Sequence, residues 1–374
     1  MKIKKLITSE SVGPGHPDKI CDQISDLVLD ECLKQDKNSR VACEVFASNR
    51  LIVIGGEITT KAYVDVVQCA WSVLKPLGYT ENDFTIMSNI NKQSPEIANK
   101  VNLASEKFGA GDQGIVFGYA CNETKQLLPL TYVMSNEILE TLFNMIKAKK
   151  IKGIKFDMKS QITIDFSNEK TPILDTVVLS VQHDANMSLK TLSKTLKEKI
   201  ILPIVKKYKL NENFSCFVNH GGSFVVGGPI GDTGLTGRKI IVDSYGSIAH
   251  HGGGAFSGKD YTKVDRTGCY FARYIAKNIV AAKLAKKAEV QLSYYIGATK
   301  PLSIYIDTFN TNLIDLEKIY QSVEKSFNFD LYNIVETLKL REPNYSKTSV
   351  FGHFTKNFTW EKLDKVEDLK KNAR

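Results

Sequence analysis

One pattern runs through the chain three times, and it constrains the fold more than any other feature. Each unit opens with an amphipathic helix, passes through two alternating or apolar runs that read as a β-hairpin, and continues into a second helix. In the first unit the helix covers about Pro17 to Gln35. The hairpin is RVACEVFA and RLIVIGGEI, linked at Ser48-Asn49. The helix KAYVDVVQCAWSVLKPLG closes at Gly78, and FTIMSNI ends the unit as a strand. The second unit has the helix VMSNEILETLFNMIKAKK, the hairpin SQITIDFS and DTVVLSVQH, the helix SLKTLSKTLKEKIILPIVKKYK and the strand FSCFVN. The third has CYFARYIAKNIVAAKLAKK, then EVQLSYYIG and LSIYIDTF, then IDLEKIYQSVEKSF, with no clear final strand. Units of this kind predict an α+β protein in which helices cover one face of antiparallel or mixed sheets. A doubly wound parallel sheet is not expected, because no strand–helix–strand alternation is present.

A length of 374 residues is ample for a packed core and corresponds to roughly two or three domains. The net charge of +9 comes mostly from lysines spread along helices, such as Lys147, Lys149, Lys150 and Lys152, which reads as a solvated surface. The seven cysteines are odd in number and contain no CxxC pair, so reduced thiols in a cytoplasmic protein are expected rather than disulfides or a zinc site. MKIKKLITSE has no apolar core of a signal peptide, and no apolar run is long enough to cross a membrane.

Two long glycine-rich segments, Asn91 to Gly118 and His220 to Lys263, interrupt the repeats, and segments of this length usually serve function. In GPGHPDK, Gly13 to Lys19, Pro17 suits the first helical position and Asp18 the first turn. Alone this is ordinary helix chemistry; it also presents His16 beside an acid on a glycine turn. GAGDQG, Gly109 to Gly114, surrounds Asp112 with glycines that allow close backbone approach. The polar stretch before it, about 93–108, reads as a mobile lid. Asp157 and Lys159 are two apart beside a strand and would face one side together, although alone they read first as a surface ion pair. GGPIGDTGLTGRK carries Asp232, Arg238 and Lys239, and HGGGAFSGKDYTKVD carries Lys259, Lys263 and Asp265 among glycines whose N–H groups suit phosphates. Gly253 to Lys259 mimics the start of a P-loop, but Asp260 stands where Ser or Thr should hold the metal, so a P-loop enzyme is rejected. Glu44 and Glu57 lie in apolar strands, where a buried charge would need a partner: a metal ion for Glu44, a substrate amine for Glu57, or a nearby lysine for either. Together these features describe a polyphosphate site.

GHPDK, GGEIT, KQSPEI, GAGDQG, GGPIGDTGLTGRK and HGGGAFSGKD, in this order, closely resemble the S-adenosylmethionine synthetases, and the likeness runs from TSES at Thr8 to FGHF and TWEK near the C-terminus. The resemblance implies three similar domains about a pseudo-threefold axis. We assign these as 1–12 plus 125–226 (N-terminal), 13–98 plus 227–266 (central) and 99–124 plus 267–374 (C-terminal). It implies S-adenosylmethionine synthesis from ATP and methionine by sulfur attack on C5′, release of triphosphate, and its hydrolysis to pyrophosphate and phosphate. It also implies two Mg²⁺ per site, K⁺, and a homodimer with active sites between subunits, often paired into a homotetramer. By resemblance, His16, Lys159 and Asp112 are catalytic. Asp157, Phe224, Asp232, Arg238, Lys239, Ala255 and Lys259 join His16 and Lys159 in binding ATP. Glu57, Gln93, Asp232 and Lys263 bind methionine; Asp18 and Asp265 bind Mg²⁺ and Glu44 binds K⁺. Ser223 stands where an Arg usually precedes the adenine-packing Phe, Pro14 where an acid is common, and Met158 where a small residue is usual. The rival functions are another ATP-dependent phosphotransferase or ligase, and a basic nucleic-acid-binding protein, for which no signature is found.

Overall fold

The structure is a computed structural model and describes residues 4–92 and 108–374. The proposed lid, apart from Phe108, and Gln93 lie outside the described residues.

The strands are β1 (Leu6–Val12), β2 (Arg40–Ser48), β3 (Leu51–Thr59), β4 (Thr85–Asn91), β5 (Gly114–Cys121), β6 (Ile154–Asp165), β7 (Ile173–His183), β8 (Ser215–Val218), β9 (Gly234–Leu235), β10 (Lys287–Tyr294) and β11 (Ser303–Asp307). The helices are α1 (Pro17–Gln35), α2 (Val66–Leu74), α3 (Leu130–Lys147), α4 (Leu189–Leu196), α5 (Leu202–Lys207), α6 (Ile240–Asp243), α7 (Val264–Ala281), α8 (Leu316–Ser326), α9 (Leu331–Thr337) and α10 (Val366–Asn372). They build three sheets, with strand orders β1-β6-β7-β8, β4-β3-β2-β9 and β11-β10-β5.

The architecture is the expected α+β fold, with two mixed sheets and one antiparallel sheet. Each hairpin is antiparallel, and β4 and β8 return parallel to β3 and β7 because a helix carries the chain across first. The third unit has no such returning strand among the described residues; α9 follows α8 instead. Three strands not read from the sequence complete the sheets. β9 joins β2, β1 joins β6 and β5 joins β10, each antiparallel to the first strand of its hairpin. The long helix of each unit packs over that seam: α1 on β2 and β9, α3 on β1 and β6, α7 on β5 and β10.

Two hydrophobic cores result. One lies beneath α3, α4 and α5 on the first sheet, and the other joins α1 and α7 with the remaining two sheets. Phe108 enters the second core, packed edge-on against Tyr261. All seven cysteines are free thiols. Among the described residues no helix is long and apolar enough to cross a membrane.

Candidate active site

The glycine turn before α1 lies directly on β6. Gly13 and Gly15 donate their N–H groups to the Met158 and Phe156 carbonyls at 2.8 and 2.9 Å. A Cβ on Gly15 would sit 2.5 to 2.7 Å from the Phe156–Asp157 backbone, so only glycine fits. Met158 points into the core beneath this turn, which turns Asp157 and Lys159 toward His16.

His16 is the N-cap of α1, with Pro17 next, as the sequence predicts. Its Nδ1 accepts the Asp18 N–H at 3.1 Å, so the neutral ring carries its proton on Nε2. Burial, reinforced by the charges of Lys239 and Lys159, holds the imidazole down to about 3, so it is uncharged at neutral pH. His16, Asp157, Lys159, Phe224, Gly228 and Asp232 line one cavity of about 190 Å³. Asp157 accepts the Gly228 N–H at 2.7 Å. Gly228 has φ +63°, and a Cβ there would meet the Tyr79 hydroxyl at 1.9 Å. Phe224 is held by both backbone groups, which bond to His183.

Asp18 closes the other side of this group. It accepts the Leu235 N–H at 3.0 Å and the Lys239 ammonium at 2.5 Å, with Arg238 Nε at 3.7 Å. Burial pushes its carboxyl up, but these donors outweigh it and hold the group below the usual carboxylate range.

A second group forms around α7. Lys259 bridges to Ala42 of β2 through its backbone and pairs with Asp265 at 2.6 Å. Gly254 lies against that carboxylate so closely that a Cβ would be 2.2 Å from it. Lys263 pairs with the buried Asp260, which also accepts the Val41 N–H at 2.6 Å and so acts inside the fold rather than as a P-loop residue. Asp112 is exposed and caps the following N–H, while Gly111 bonds to Thr262. Ala255 touches the first group: a Cβ on Gly237 would be 2.5 Å from its Cβ. Among the described residues no hydrogen bond or ion pair joins a candidate side chain of the first group to one of the second.

The expectation that Glu44 and Glu57 are buried is corrected. Strand alternation turns both away from the core onto the open face of β2 and β3, where they are exposed and pair with no lysine among the described residues. Of the departures, Met158 is buried, the Pro14 carbonyl accepts from Gln23, and Ser223 is exposed. A larger cleft of about 560 Å³ between β1 and β10 contains none of the candidate residues.

Among the described residues no three His, Cys, Asp or Glu side chains gather around one point. Asp18 and Asp265 are single carboxylates beside lysines. That donor set fits Mg²⁺ that takes its other ligands from substrate phosphates and water, as Mg²⁺ commonly does. Glu44 offers one exposed carboxylate on an open face.

Sequence reasoning missed the buried acids behind these loops. Asp22 and Asp26 take loop N–H groups at Gly237 and Gly258, and Arg266 grips Asp26 with its two terminal guanidinium nitrogens. Lys19 lies fully buried between Asp22 and Asp243. The four-residue spacing of Asp18, Asp22, Asp26 and Asp30 was the available signal.

The chain is similar along its length to proteins of known family. Residues 4–99, 107–224 and 226–362 match the N-terminal, central and C-terminal domains of S-adenosylmethionine synthetase. A protein of Mycoplasmopsis pulmonis named S-adenosylmethionine synthase is 56% identical over 371 residues, covering 98% of this chain and 99% of the relative. Those of Mycoplasma capricolum and Fusobacterium nucleatum, with the same name, are 51% and 49% identical, covering 98% and 99% of this chain and 97% and 99% of the relatives. Matches of this extent leave one conclusion: the chain belongs to the S-adenosylmethionine synthetase family.

Proposed function

We propose that the chain makes S-adenosylmethionine from ATP and methionine by direct displacement at C5′, with the triphosphate leaving whole and then being hydrolysed to pyrophosphate and phosphate. One observation carries this reading: an uncharged His16, whose Nε2–H has no hydrogen-bond partner among the described residues, shares a small cavity with Lys159, and Arg238 and Lys239 stand behind it at Asp18.

In this step the C5′–S bond forms and the C5′–O bond breaks. A neutral thioether becomes a sulfonium and the bridging oxygen gains negative charge. Groups aimed at that oxygen are worth most in the transition state. Nε2–H of His16 and the ammonium of Lys159 would meet it. Arg238, Lys239 and Lys259 would hold the phosphates, and Phe224, Asp157 and Ala255 the nucleoside. Glu57, Asp232 and Lys263 would bind methionine, with Asp112 near its junction with adenosine. Asp18 and Asp265 would hold Mg²⁺ with the phosphates, and Glu44 K⁺; these ions supply positive charge that balances the triphosphate.

The second group of residues is taken to complete the site of a partner subunit in a homodimer, which pairs further into a tetramer. The helix-free faces of the sheets support this, because they leave Leu6, Phe217, Phe46, Met87, Ile115 and Tyr305 exposed. Sheet membership likewise supports domains 1–12 plus 125–226, 13–98 plus 227–266 and 99–124 plus 267–374, although the family's named domains are contiguous. Free thiols throughout agree with a cytoplasmic location.

The test is product analysis by mass with ATP and methionine. S-adenosylmethionine, pyrophosphate and phosphate are expected, and ADP or AMP as the nucleotide product overturns the proposal. His16→Ala should cut synthesis by on the order of 10²–10³ while hydrolysis of added tripolyphosphate continues, because only synthesis breaks the C5′–O bond. Equal loss of both would show that His16 serves the phosphates generally.

A further inference from the structure

α1 carries Asp18, Asp22, Asp26 and Asp30 at four-residue intervals, which places them on one helix face, and none is more than 3% exposed. A row of buried carboxylates is costly unless each is compensated. Each is. Asp18 takes the Leu235 N–H and Lys239. Asp22 takes the Gly237 N–H at 2.8 Å and pairs with Lys19 at 3.0 Å. Asp26 takes the Gly258 N–H at 2.8 Å and Arg266. Asp30 takes the Tyr345 and Ser346 N–H groups at 2.7 and 2.9 Å.

Two of these contacts share one geometry. Gly237 and Gly258 both have left-handed backbone, with φ +80° and +78°. Each gives its N–H to an α1 aspartate, and each immediately precedes a cation of the site: Arg238 and Lys239 in one loop, Lys259 in the other. Neither turn has room for a side chain, since a Cβ on Gly258 would lie 1.9 Å from the Cys43 carbonyl and one on Gly237 2.5 Å from Ala255. The turn is therefore fixed from behind by α1 and in front by packing.

We propose that Asp22 and Asp26 are positioning residues for the triphosphate. By anchoring Gly237 and Gly258 to one rigid helix, Asp22 sets where Arg238 and Lys239 project beside His16 at the start of the same helix, and Asp26 sets where Lys259 projects toward the site it completes with the partner subunit. The inference rests on the reading that Arg238, Lys239 and Lys259 hold the phosphates.

Asp22 gives the cleaner test, because its removal leaves Lys19 paired with Asp243, whereas removal of Asp26 strands a buried Arg266. Asp22→Ala should raise KM for ATP and for added tripolyphosphate about tenfold, with KM for methionine little changed. Asp22→Asn keeps an acceptor for the Gly237 N–H and should recover most of the loss. Asp30→Ala, at the far end of the same row, should lower thermal stability comparably and leave ATP KM unchanged. An unchanged ATP KM in Asp22→Ala, or an equal rise in Asp30→Ala, overturns the proposal. Lys239→Ala serves as the separating control: if it leaves ATP KM unaltered, the phosphate reading has failed rather than the positioning role. Should Asp22→Ala not fold, hydrogen exchange of the wild-type protein decides. The Gly237 and Gly258 amides should exchange as slowly as those within α1, and fast exchange at both overturns the anchoring.

Discussion

Burial pushes the Asp157 carboxyl up to about 6, more than the Gly228 N–H and the nearby Lys159 pull it down, and Asp232 adds to the rise. Tyr79 and His16 also stand near it, both uncharged at neutral pH. The folded value lies above the ordinary 3.8, so the folded chain holds a proton between about pH 4 and 6 that the unfolded chain has released. Stability contributed by this group therefore falls as pH rises through that window and is flat above it. A shift of this size corresponds to about 2–3 kcal/mol. Asp157→Asn should remove the dependence, so that between pH 4 and 7 the variant gains on the wild type by about that amount in urea unfolding. A constant difference across the range would show that Asp157 does not titrate there. His16 and Asp157 were legible as candidates through the family resemblance, because a glycine turn and a two-residue spacing read by themselves as helix chemistry and a surface ion pair. Asp22 and Asp26 were not, because the acidic face of an amphipathic helix is ordinarily a solvated one, and only the incoming loops make it interior.

The hairpins and their flanking helices were legible as elements because alternation and helical periodicity persist along them. The strands added from outside each unit were not. β5 lies within a glycine-rich segment, and β9 has two residues. α4 and α5 read as one helix; the structure inserts a π-helical turn, Lys197–Ile201, just before Pro203, which lacks the N–H that the Lys199 carbonyl would take. Gly118 of β5 explains why glycine persists where a strand would favour a larger residue. A Cβ there would lie 2.0 to 2.3 Å from the Ala272 and Arg273 backbone of α7, so strand and helix touch main chain to main chain. Neither side can give by rotating a side chain. Gly118→Ala should therefore destabilise the fold by about 3 kcal/mol, the upper end of overpacking costs. Gly221→Ala is the control, because a Cβ there meets nothing within 4 Å, and it should be close to neutral. Equal unfolding midpoints for wild type and Gly118→Ala would mean that β5 and α7 separate more readily than their contact implies.

For the whole molecule, the repeat predicted three sheets, and the chain builds them by lending β1, β5 and β9 across its length. The same interleaving splits the candidate residues. His16, Lys159 and Asp157 face one cavity, while Lys259, Asp265 and the exposed Glu44 and Glu57 turn elsewhere, although Gly237 and Ala255 are in contact where the groups diverge. On the proposed dimer, two half-sites on one chain would make a complete site when two copies meet about a twofold axis, because each copy would offer the half that the other lacks. Take His16→Ala and Lys259→Ala, each retaining only a small fraction of wild-type synthesis. In a dimer of one copy of each, one site receives both defects and the other receives neither. Random pairing after co-refolding puts about half of the chains into such mixed dimers, each with one intact site of two, so about a quarter of wild-type activity should return. If each site were built within a single chain, every site would retain one defect and no activity would return. Co-refolding equal amounts of the two variants, then assaying S-adenosylmethionine formation in the fraction sized as a dimer or larger, separates these outcomes.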